Sequence, residues 1–541
     1  MSHLLGWSPA MHWNPPVELS PREDRICARL TKQRRFFPFL RRVRHRLFDH
    51  AFQERLALMY SGRPRGTPPL PPAFLTAVVL LQAYTRCSDF DALSSALHDA
   101  RWQMVLDCFD PEEAPFGEAT LADFRARLVA SGMASELMRR TVELARETGG
   151  FGHKQAAGLR VAVDSVPLDG AGKVEDTINL IGRALRMLMQ AVAAFFLLSP
   201  QEVAAQADLP VLVGPSIKAG LDLDWQSPGA ADAAIRVLGE HAERLNAWMD
   251  QRAPRGVGSL AVSAARERLD RLVAQDTEVS ASGTRVVRRG VAPDRQISIS
   301  DPEMRHGRKS ETERIDGYKE YVARDLDNDL TLAACVLPAN APEAQGADKL
   351  RPQVVEHGEV SELLVDRAFL SSGWVADLAR ARLDAVICRP LVAHNGGLFT
   401  KQDFTIDLAA GTARCPGGHL AVIQSEKVHF ATPTCRECPL RGRCQKADAK
   451  EGRTISISPH EALLQHLTAQ SKTAAGRRRL RERVPVEHSL AHQRNRQGRF
   501  ARYRGVAKND FDAQRIAAVN NLQVIDRRLR RADVEVVDQA A

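Results

Sequence analysis

Hydrophobic residues in the first part of the chain recur with the spacing of helices. The stretches AFLTAVVLLQAY (73–84) and DFDALSSALHDARWQMVLDCF (89–109) each predict helical structure, and residues 117–150 predict two helices joined at Ser131-Gly132. A helix pair joined by a short turn is common in plain bundles, so this spacing alone does not predict DNA binding. The pattern predicts an N-terminal helical domain over residues 1–152.

Arginine and phenylalanine are mixed in the stretch RLTKQRRFFPFLRRVRHRLF (29–48). This mixture fits a helix or arm that packs on one side and offers positive charge on the other. A solvated amphipathic helix explains the same pattern equally well, so both interpretations stay open.

The spacing changes from helical to extended after the first domain. LRVAVDSVPLDG (159–170) is a valine-rich run interrupted by Asp164, which predicts a buried strand that carries a carboxylate. Residues 172–289 return to helical spacing and predict a helical insertion. Three later stretches predict antiparallel strands: QISIS (296–300), YKEYVARD (318–325) and TLAACVLP (331–338).

A second buried strand is predicted in SELLVDRAFLSSG (361–373), where Asp366 lies near the end of the apolar run. Helical and extended patterns then alternate. Three antiparallel strands followed by alternating units predict an α/β fold with a mixed, RNase H-like sheet. This core would consist of residues 155–171 and 290–394, followed by a cysteine-rich insertion (395–455) and C-terminal helices with a basic tail (456–541).

Composition favours a soluble protein with a polyanionic partner. The formal charge is +9 and the pI is near 9.2, but this excess is spread over 541 residues and only suggests nucleic acid. The N-terminus lacks a basic segment followed by an apolar one, and the longest apolar stretch, Met187 to Leu198, is too short to span a bilayer. These features predict a cytoplasmic protein that makes no membrane contact.

Asp164 and Asp366 share a setting that calls for a cation. Each is a charged residue at the end of an apolar strand, where an unpaired carboxylate is costly to bury. If the two strands are neighbours, the carboxylates converge and need a positive charge between them. Carboxylates at one sheet edge can hold two Mg²⁺ or Mn²⁺ ions about 4 Å apart and support phosphodiester chemistry. A strand-end cap or an ion pair would explain either aspartate taken singly.

Glu487 lies in a strongly basic segment. From Lys472 to Lys508 there are twelve Lys or Arg residues and two acids, Glu482 and Glu487. A carboxylate beside a phosphate backbone repels it unless a divalent cation stands between them, so Glu487 is a candidate third metal ligand. A surface ion pair is the alternative explanation.

Further residues could complete a nucleic-acid site. Asp301 and Glu303 offer carboxylates, which we interpret as a loop acid and a cap, with a metal role as the alternative. Basic and aromatic side chains could hold phosphates or stack on an unpaired base, although a solvated surface would have the same composition. The predicted DNA-binding residues are Arg305, Arg308, Lys309, Lys319, Arg499, Arg502, Tyr503 and Arg504, and Phe500 is predicted, like Tyr503, to stack on an unpaired base.

Four of the nine cysteines cluster, at Cys415, Cys435, Cys438 and Cys444. A CxxC pair with one outlying cysteine on each side can close a tetrahedral Zn²⁺ site, and His419 is a possible substitute ligand. An iron–sulfur cluster or four reduced thiols are the alternatives.

Together these residues resemble the DDE transposases of bacterial insertion sequences, in the branch with an N-terminal helical transposase domain and a cysteine cluster before the last acid. The resemblance rests on VAVDS, SDPEMRHGRKS with GYKEYVARD, LLVDRAF, CPGGH with CRECPLRGRC, and RVPVEHSL through RGVAKNDFDAQRIAAVNNL. Related branches carry Tyr, Arg, Glu and Lys at fixed spacing. Arg483 and Glu487 fall in that register, whereas Leu480 and Arg494 stand at the Tyr and Lys positions. The resemblance therefore implies that Arg483 and Arg494 contact DNA.

The resemblance implies that Asp164, Asp366 and Glu487 are the catalytic, Mg²⁺-binding acids. It further implies DNA cleavage at insertion-sequence ends and strand transfer into target DNA, and an N-terminal domain that binds DNA or mediates assembly. The expected partners are double-stranded DNA, as terminal inverted repeats and as target, and a second copy of the chain in a homodimer at the nucleoid. Two other functions stay open, a catalytically inactive DNA-binding derivative and an RNase H-like nuclease.

Overall fold

The computed structural model describes residues 11–30, 34–60, 69–148, 158–254, 256–309, 312–391, 394–483 and 497–540, with side chains described as far as residue 530.

Helices form the N-terminal part of the chain, in agreement with the hydrophobic spacing. Ser20 and Ser88 begin two of them with reciprocal capping boxes, which satisfy backbone N–H groups that the first turn leaves unpaired. Gly132 has a φ of +72° and separates the two helices at the predicted turn. These helices are α1 (Pro21–Arg29), α2 (Phe36–Leu47), α3 (His50–Ala57), α4 (Pro72–Thr85), α5 (Asp89–His98), α6 (Ala100–Leu106), α7 (Glu118–Ser131) and α8 (Met133–Glu147).

Two arginines of α2 lie inside the helical layer. Arg41 is 1% exposed and pairs with Glu23, and Arg44 is 1% exposed and donates to the carbonyl oxygens of Met104 and Val105 at 2.9 and 2.6 Å. Burial lowers the pKa of Arg44 to about 10. The expectation that one side of this helix offers its charge to a ligand or to solvent is therefore wrong at these two positions.

Most strands form one mixed sheet and one small antiparallel sheet. They are β1 (Leu159–Asp169), β2 (Thr277–Val279), β3 (Arg285–Val287), β4 (Arg305–Arg308), β5 (Arg314–Asp325), β6 (Thr331–Pro338), β7 (Val360–Leu364), β8 (Val386–Ile387), β9 (Thr405–Asp407), β10 (Thr412–Arg414), β11 (Leu420–Gln424), β12 (Lys427–His429) and β13 (Thr454–Ser456). In the mixed sheet, β5 pairs antiparallel with β1, β4 and β6, while β7 pairs parallel with β1 and β8 pairs parallel with β7. The predicted α/β class is thus confirmed.

The stretch QISIS is not a strand, although its alternation predicted one. Gln296 forms one isolated antiparallel bridge with Arg305 of β4, but the following residues bond to Glu175: Glu175 N donates to the Ile297 carbonyl, and Ile299 N donates to Glu175 Oε2, both at 2.9 Å. Ile297 packs in the core of the sheet, whereas Ile299 packs among the helices of the insertion. The two isoleucines therefore bury themselves against two different layers, which an alternating pattern cannot distinguish from one buried strand face.

The insertion is helical, with its own apolar core and one short hairpin formed by β2 and β3. Its helices are α9 (Thr177–Phe195), α10 (Pro200–Gln206), α11 (Ile217–Gly220), α12 (Ala230–Arg252) and α13 (Leu260–Asp276). By length and composition α9 could cross a membrane, but 56% of its most apolar window is buried in the protein. Because α9 packs against α12 and α13, we interpret it as the core helix of the insertion.

The remaining helices lie between and after the strands of the two sheets. They are α14 (Glu343–Val355), α15 (Gly373–Ala381), α16 (Thr432–Arg436), α17 (Arg441–Cys444), α18 (Glu461–Lys472), α19 (Ala474–Arg481) and α20 (Val506–Ala540). Helix α20 contacts α4, α8 and β6. Its Asn521 bonds to both backbone groups of Thr331, at 2.8 and 2.9 Å, and to the Thr141 hydroxyl at 3.0 Å. One hydrophobic core consequently runs from the N-terminal helices through α20 into the mixed sheet.

Candidate active site and cysteine cluster

Parallel pairing brings the two predicted aspartates to the same edge of the mixed sheet. Ala162 of β1 pairs with Leu364 of β7, so Asp164 and Asp366 each follow that pair by two residues. The apolar residues directly before them, 161–163 and 363–365, are fully buried, and each aspartate uses one carboxylate oxygen to accept the next backbone N–H at 2.8 Å. The second oxygen of each side chain is left to bind another group.

Arg483 connects these two carboxylates. One terminal nitrogen lies 3.1 Å from Asp164 Oδ2, and the other lies 3.4 Å from Asp366 Oδ1. A guanidinium is a rigid fork, so both oxygens must lie within the span of one planar group. The sequence interpretation listed Arg483 as a DNA contact and did not predict that it would join the two acids.

Arg483 is held in place by the end of helix α19. Arg479 of this helix pairs with Glu362 of β7 at 3.0 Å and donates to the Asp384 carbonyl at 2.9 Å. Glu482 pairs with Arg160 of β1, which also binds Glu362 at 2.9 Å. These ion pairs attach the helix to the two strands that carry the aspartates.

A cleft of about 380 Å³ opens beside Asp366. Arg367 and Arg389 line it together with Arg483, so the cleft combines one acid with three arginines. The sequence interpretation missed Arg367 and Arg389, although each follows the carboxyl end of a parallel strand. Cys388 lies next to them, and burial raises the pKa of its thiol to about 12, so this thiol stays protonated and is unsuited to nucleophilic attack.

Glu487 and Arg494 lie outside the described residues. The described chain resumes at Gln497 and soon joins the end of β1: Asp169 N donates to the Arg499 carbonyl at 3.0 Å, and Ala501 N donates to the Asp169 carbonyl at 2.6 Å. The segment that contains both predicted residues is therefore tied to the sheet on either side, at Arg483 and at Arg499.

The basic residues predicted around β4 and β5 have different environments. Arg305 pairs with Asp294 at 2.6 Å, and Arg308 and Lys309 are exposed. The Lys319 ammonium is buried and pairs with Glu343 at 2.8 Å. Lys319 is thus unsuited to bind DNA in this conformation, because its charge is already compensated inside the protein.

Of the two aromatic rings predicted to stack on a base in the C-terminal basic segment, the structure exposes one. Phe500 is 62% exposed, with the Arg499 guanidinium 5.6 Å from its ring centre. Tyr503 instead packs against the core beside Phe511 and Arg515. Sequence spacing alone could not separate these rings, because which one turns inward depends on the chain's attachment to β1.

Arg502 and Arg504 complete that segment. Arg502 donates to the Cys87 carbonyl at 2.5 Å and so links the segment to the N-terminal helices, whereas Arg504 is exposed. The positive charges of this segment therefore begin at the sheet edge and continue to the N-terminal helical layer.

Asp301 and Glu303 have the structural roles that their position suggested. Asp301 is fully buried and accepts from the Tyr318 hydroxyl at 2.6 Å and from Gly505 N at 3.1 Å. Glu303 accepts from Val506 N at 2.9 Å and caps the start of α20. Both acids fix the entry to the last helix.

The four predicted cysteines line one small cavity of about 20 Å³, together with His419. This volume holds about one water-sized particle. Burial raises the pKa of the Cys444 thiol, and the other three cysteines act in the same direction, which requires all four to be close. A Cβ atom at Gly417 would lie 3.0 Å from Cys438 Sγ and 3.6 Å from Cys415 Sγ, so those two sulfurs flank one glycine.

Sequence models of two families match separate parts of the chain. One, described as a transposase DDE domain, matches residues 421–525, and the other, described as a transposase domain (DUF772), matches residues 27–127. The first match contains Glu487 and the basic segment, and the second lies in the N-terminal helical part. Comparisons with curated proteins and with solved structures gave no match.

Both matches are to transposase domains, and together they cover less than half of the chain. More specifically, they confirm the predicted resemblance to DDE transposases of the insertion-sequence type. Such proteins act on DNA, and the DDE class implies a general requirement for a divalent metal.

Proposed function

We propose that this protein cleaves DNA at the ends of its insertion sequence and transfers the freed strands into target DNA. The catalytic core would be RNase H-like. Its strand arrangement supports this, because three antiparallel strands (β1, β5 and β6) are followed by two parallel ones (β7 and β8). Residues 155–171 and 290–394 would form the sheet part of this core, and residues 456–541 would supply its C-terminal helices, the last catalytic acid and the basic tail. The N-terminal helices (1–152), the helical insertion (172–289) and the cysteine-rich segment (395–455) would be the other three segments, as the sequence predicts.

The contact of Arg483 with both aspartates is the observation that carries the proposal. Two carboxylates reached by one guanidinium are close enough to share bound cations. Hard carboxylate oxygens are also the ligands that Mg²⁺ and Mn²⁺ prefer. Asp366 is 51% exposed on its side chain and borders the cleft, so hydrated ions can reach it.

Asp164, Asp366 and Glu487 would hold two such ions. Glu487 follows Arg483 by four residues in the sequence and lies within the match to the transposase DDE domain. When bound, the ions would activate the attacking hydroxyl and stabilise the leaving oxygen of the phosphodiester. The protein's own contribution is to fix the three acids and to keep the DNA backbone in line with them.

DNA would lie along the basic residues at this edge of the sheet. Arg308, Lys309, Arg499 and Arg504 are exposed and would contact phosphates, and Arg483 and Arg494 would join them when DNA is bound. Phe500 would stack on an unpaired base at a cleaved end. The N-terminal domain (1–152) would bind DNA or the second subunit of a homodimer, since two ends have to be joined.

We further propose that the cysteine cluster holds a structural Zn²⁺ ion. Four thiols around a cavity with room for about one small particle are a suitable donor set. Cys415, Cys435, Cys438 and Cys444 would then fasten a small sheet whose own core contains only a few apolar side chains.

The first experiment is cleavage of a labelled duplex that carries the element's terminal repeats, in Mg²⁺ or Mn²⁺. We expect Asp164→Asn, Asp366→Asn and Glu487→Gln each to abolish nicking and joining while end binding is retained. Asp377→Asn is the matched control, since Asp377 pairs with Arg351 and Arg380 on the protein surface. Full activity of Glu487→Gln would refute its role and make Glu482 the next candidate.

The same assay separates the two other functions. Binding of the repeats without any cleavage by the wild type would indicate an inactive DNA-binding derivative. Cleavage without joining of donor ends to a plasmid target would indicate a nuclease. Nicking together with joining supports the transposase.

A further inference from the structure

A group of metal-binding side chains lies far from the sheet edge, among the N-terminal helices. His12, His50 and Glu54 each offer one ligand atom, and within the described part of the chain these atoms all lie within 4.8 Å of one another. His12 Nε2 is 2.8 Å from Glu54 Oε1, and His50 Nε2 is 3.8 Å from the same oxygen. Nothing in the proposed transposition chemistry uses these residues.

Two separate segments supply the ligands, and both are held in place. His50 and Glu54 are one turn apart on α3, whose first turn is capped by Asp49. His12 precedes Trp13, which exchanges two hydrogen bonds with the Gln53 side chain, at 2.7 and 3.1 Å. The side chains therefore converge without any rearrangement of the backbone.

The separations between these ligand atoms are compatible with one shared cation. Ligand atoms around a tetrahedral Zn²⁺ ion are roughly 3.4 Å apart, which lies between the separations of 2.8 and 3.8 Å. The two imidazole rings are stacked, with centres 5.3 Å apart and an angle of 17° between their planes, so both rings lie on the same side of the Glu54 carboxylate. Only the contact between His12 and Glu54 is short enough for a direct hydrogen bond, whereas a metal ion can accept all three ligands.

We propose that His12, His50 and Glu54 form a binding site for a divalent transition metal of the Zn²⁺ type. Two imidazoles and a carboxylate suit Zn²⁺, Ni²⁺ or Cu²⁺, and they suit Mg²⁺ poorly. His50 is 82% exposed, so a water molecule can take the remaining position. The bound ion would fasten the segment around His12 to α3.

The test is metal binding by the full-length protein. Equilibrium dialysis against Zn²⁺, followed by elemental analysis, should give one more ion for the wild type than for His50→Ala or His12→Ala. Removal of a ligand should raise the Zn²⁺ dissociation constant of this site by at least about tenfold. Zn²⁺ should also raise the melting temperature of the wild type more than that of His50→Ala.

Two controls keep this site distinct from the cysteine cluster and from nonspecific binding. Cys435→Ser should lose a different ion, and Co²⁺ at the proposed site should lack the thiolate absorption that Co²⁺ shows at cysteines. His98→Ala removes an exposed histidine from α5 and should leave the stoichiometry unchanged. Equal stoichiometry and affinity for the wild type and His50→Ala, or an equal loss in His98→Ala, would overturn the proposal.

Discussion

Arg483 reaches Asp164 and Asp366 at once, with nitrogen–oxygen distances of 3.1 and 3.4 Å. The single positive charge of the guanidinium thereby offsets part of the repulsion between two carboxylates at the sheet edge. If divalent ions bind the same oxygens, they have to displace this arginine, which would then be free to contact the DNA backbone. Ion pairing and metal binding would thus compete for one pair of side chains.

Replacing Arg483 tests this competition directly. Arg483→Gln should bind Mn²⁺ more tightly in the absence of DNA, by about three- to tenfold, because the metal no longer has to break two ion pairs of modest strength. Titration of the full-length protein followed by electron paramagnetic resonance measures free and bound Mn²⁺. The same variant should bind terminal-repeat DNA more weakly, because a phosphate contact is lost.

Arg478→Gln is the matched control for that measurement. Arg478 is exposed on the same helix, α19, and lies outside the ion pairs that hold Arg483 in place. Its replacement should leave Mn²⁺ affinity within about twofold of the wild type, since no metal ligand is released. Unchanged Mn²⁺ affinity in Arg483→Gln would mean that the arginine does not compete with the metal.

We expect the Phe500 ring to stack on an unpaired base at a DNA end. Phe500→Ala should weaken binding to such an end by about 5- to 100-fold, because stacking on one base contributes roughly 1–3 kcal/mol. Fluorescence anisotropy with a frayed end and with a blunt duplex measures the difference. Tyr503→Phe should change neither affinity appreciably, since the Tyr503 ring packs in the core. Equal losses on both substrates in Phe500→Ala would exclude a stacking role.

The sequence located the two aspartates because their physical signal is local. A carboxylate that interrupts a run such as VAVDS is costly to bury, and its position at the strand end follows from the run alone. The parallel pairing of Ala162 with Leu364 then brings both acids to one edge. Hydrophobic spacing likewise predicted β6 and the turn at Gly132 at the residues where the structure has them.

Pairing partners were not predictable in the same way. The burial of Arg41 depends on Glu23, and the loss of the predicted QISIS strand depends on Glu175, which lies more than a hundred residues earlier in the chain. The orientations of Phe500 and Tyr503 depend on hydrogen bonds to Asp169 in β1. Each of these features is decided by a long-range contact, and one sequence carries no direct record of such contacts.

His357 should make the stability of the protein depend on pH. It is 7% exposed, and its Nε2 lies 3.2 Å from the Leu332 carbonyl, so burial lowers its pKa to about 4. The unfolded chain takes up a proton near pH 6.5 but the folded one does not. The stabilising contribution is therefore complete above pH 6.5, and roughly 3 kcal/mol is lost as the pH falls to 4.

Urea unfolding midpoints measured between pH 7 and pH 4 check this expectation. His357→Gln keeps a donor for the Leu332 carbonyl but cannot titrate, so its midpoint should fall less steeply with decreasing pH than that of the wild type. His98→Gln, on the exposed side of α5, should follow the wild-type profile. Parallel profiles for the wild type and His357→Gln would rule out this histidine as the source of the pH dependence.

Two glycines in helices should respond in opposite directions to substitution by alanine. Gly346 in α14 contacts the ring of Tyr321 so closely that a Cβ atom there would overlap it, and the ring is fully buried against Phe369. Gly346→Ala should therefore destabilise the packing of α14 on the sheet by about 1–3 kcal/mol.

Gly239 lies on the exposed side of α12 with open space around it, so Gly239→Ala should stabilise that helix by up to about 1 kcal/mol. Hydrogen exchange measured by mass spectrometry should show faster exchange in α14 and β5 for the first variant and slower exchange in α12 for the second. Unchanged exchange in α14 of Gly346→Ala would contradict the close approach that positions α14 on the sheet. Faster exchange in α12 of Gly239→Ala would contradict the expected stabilisation of that helix.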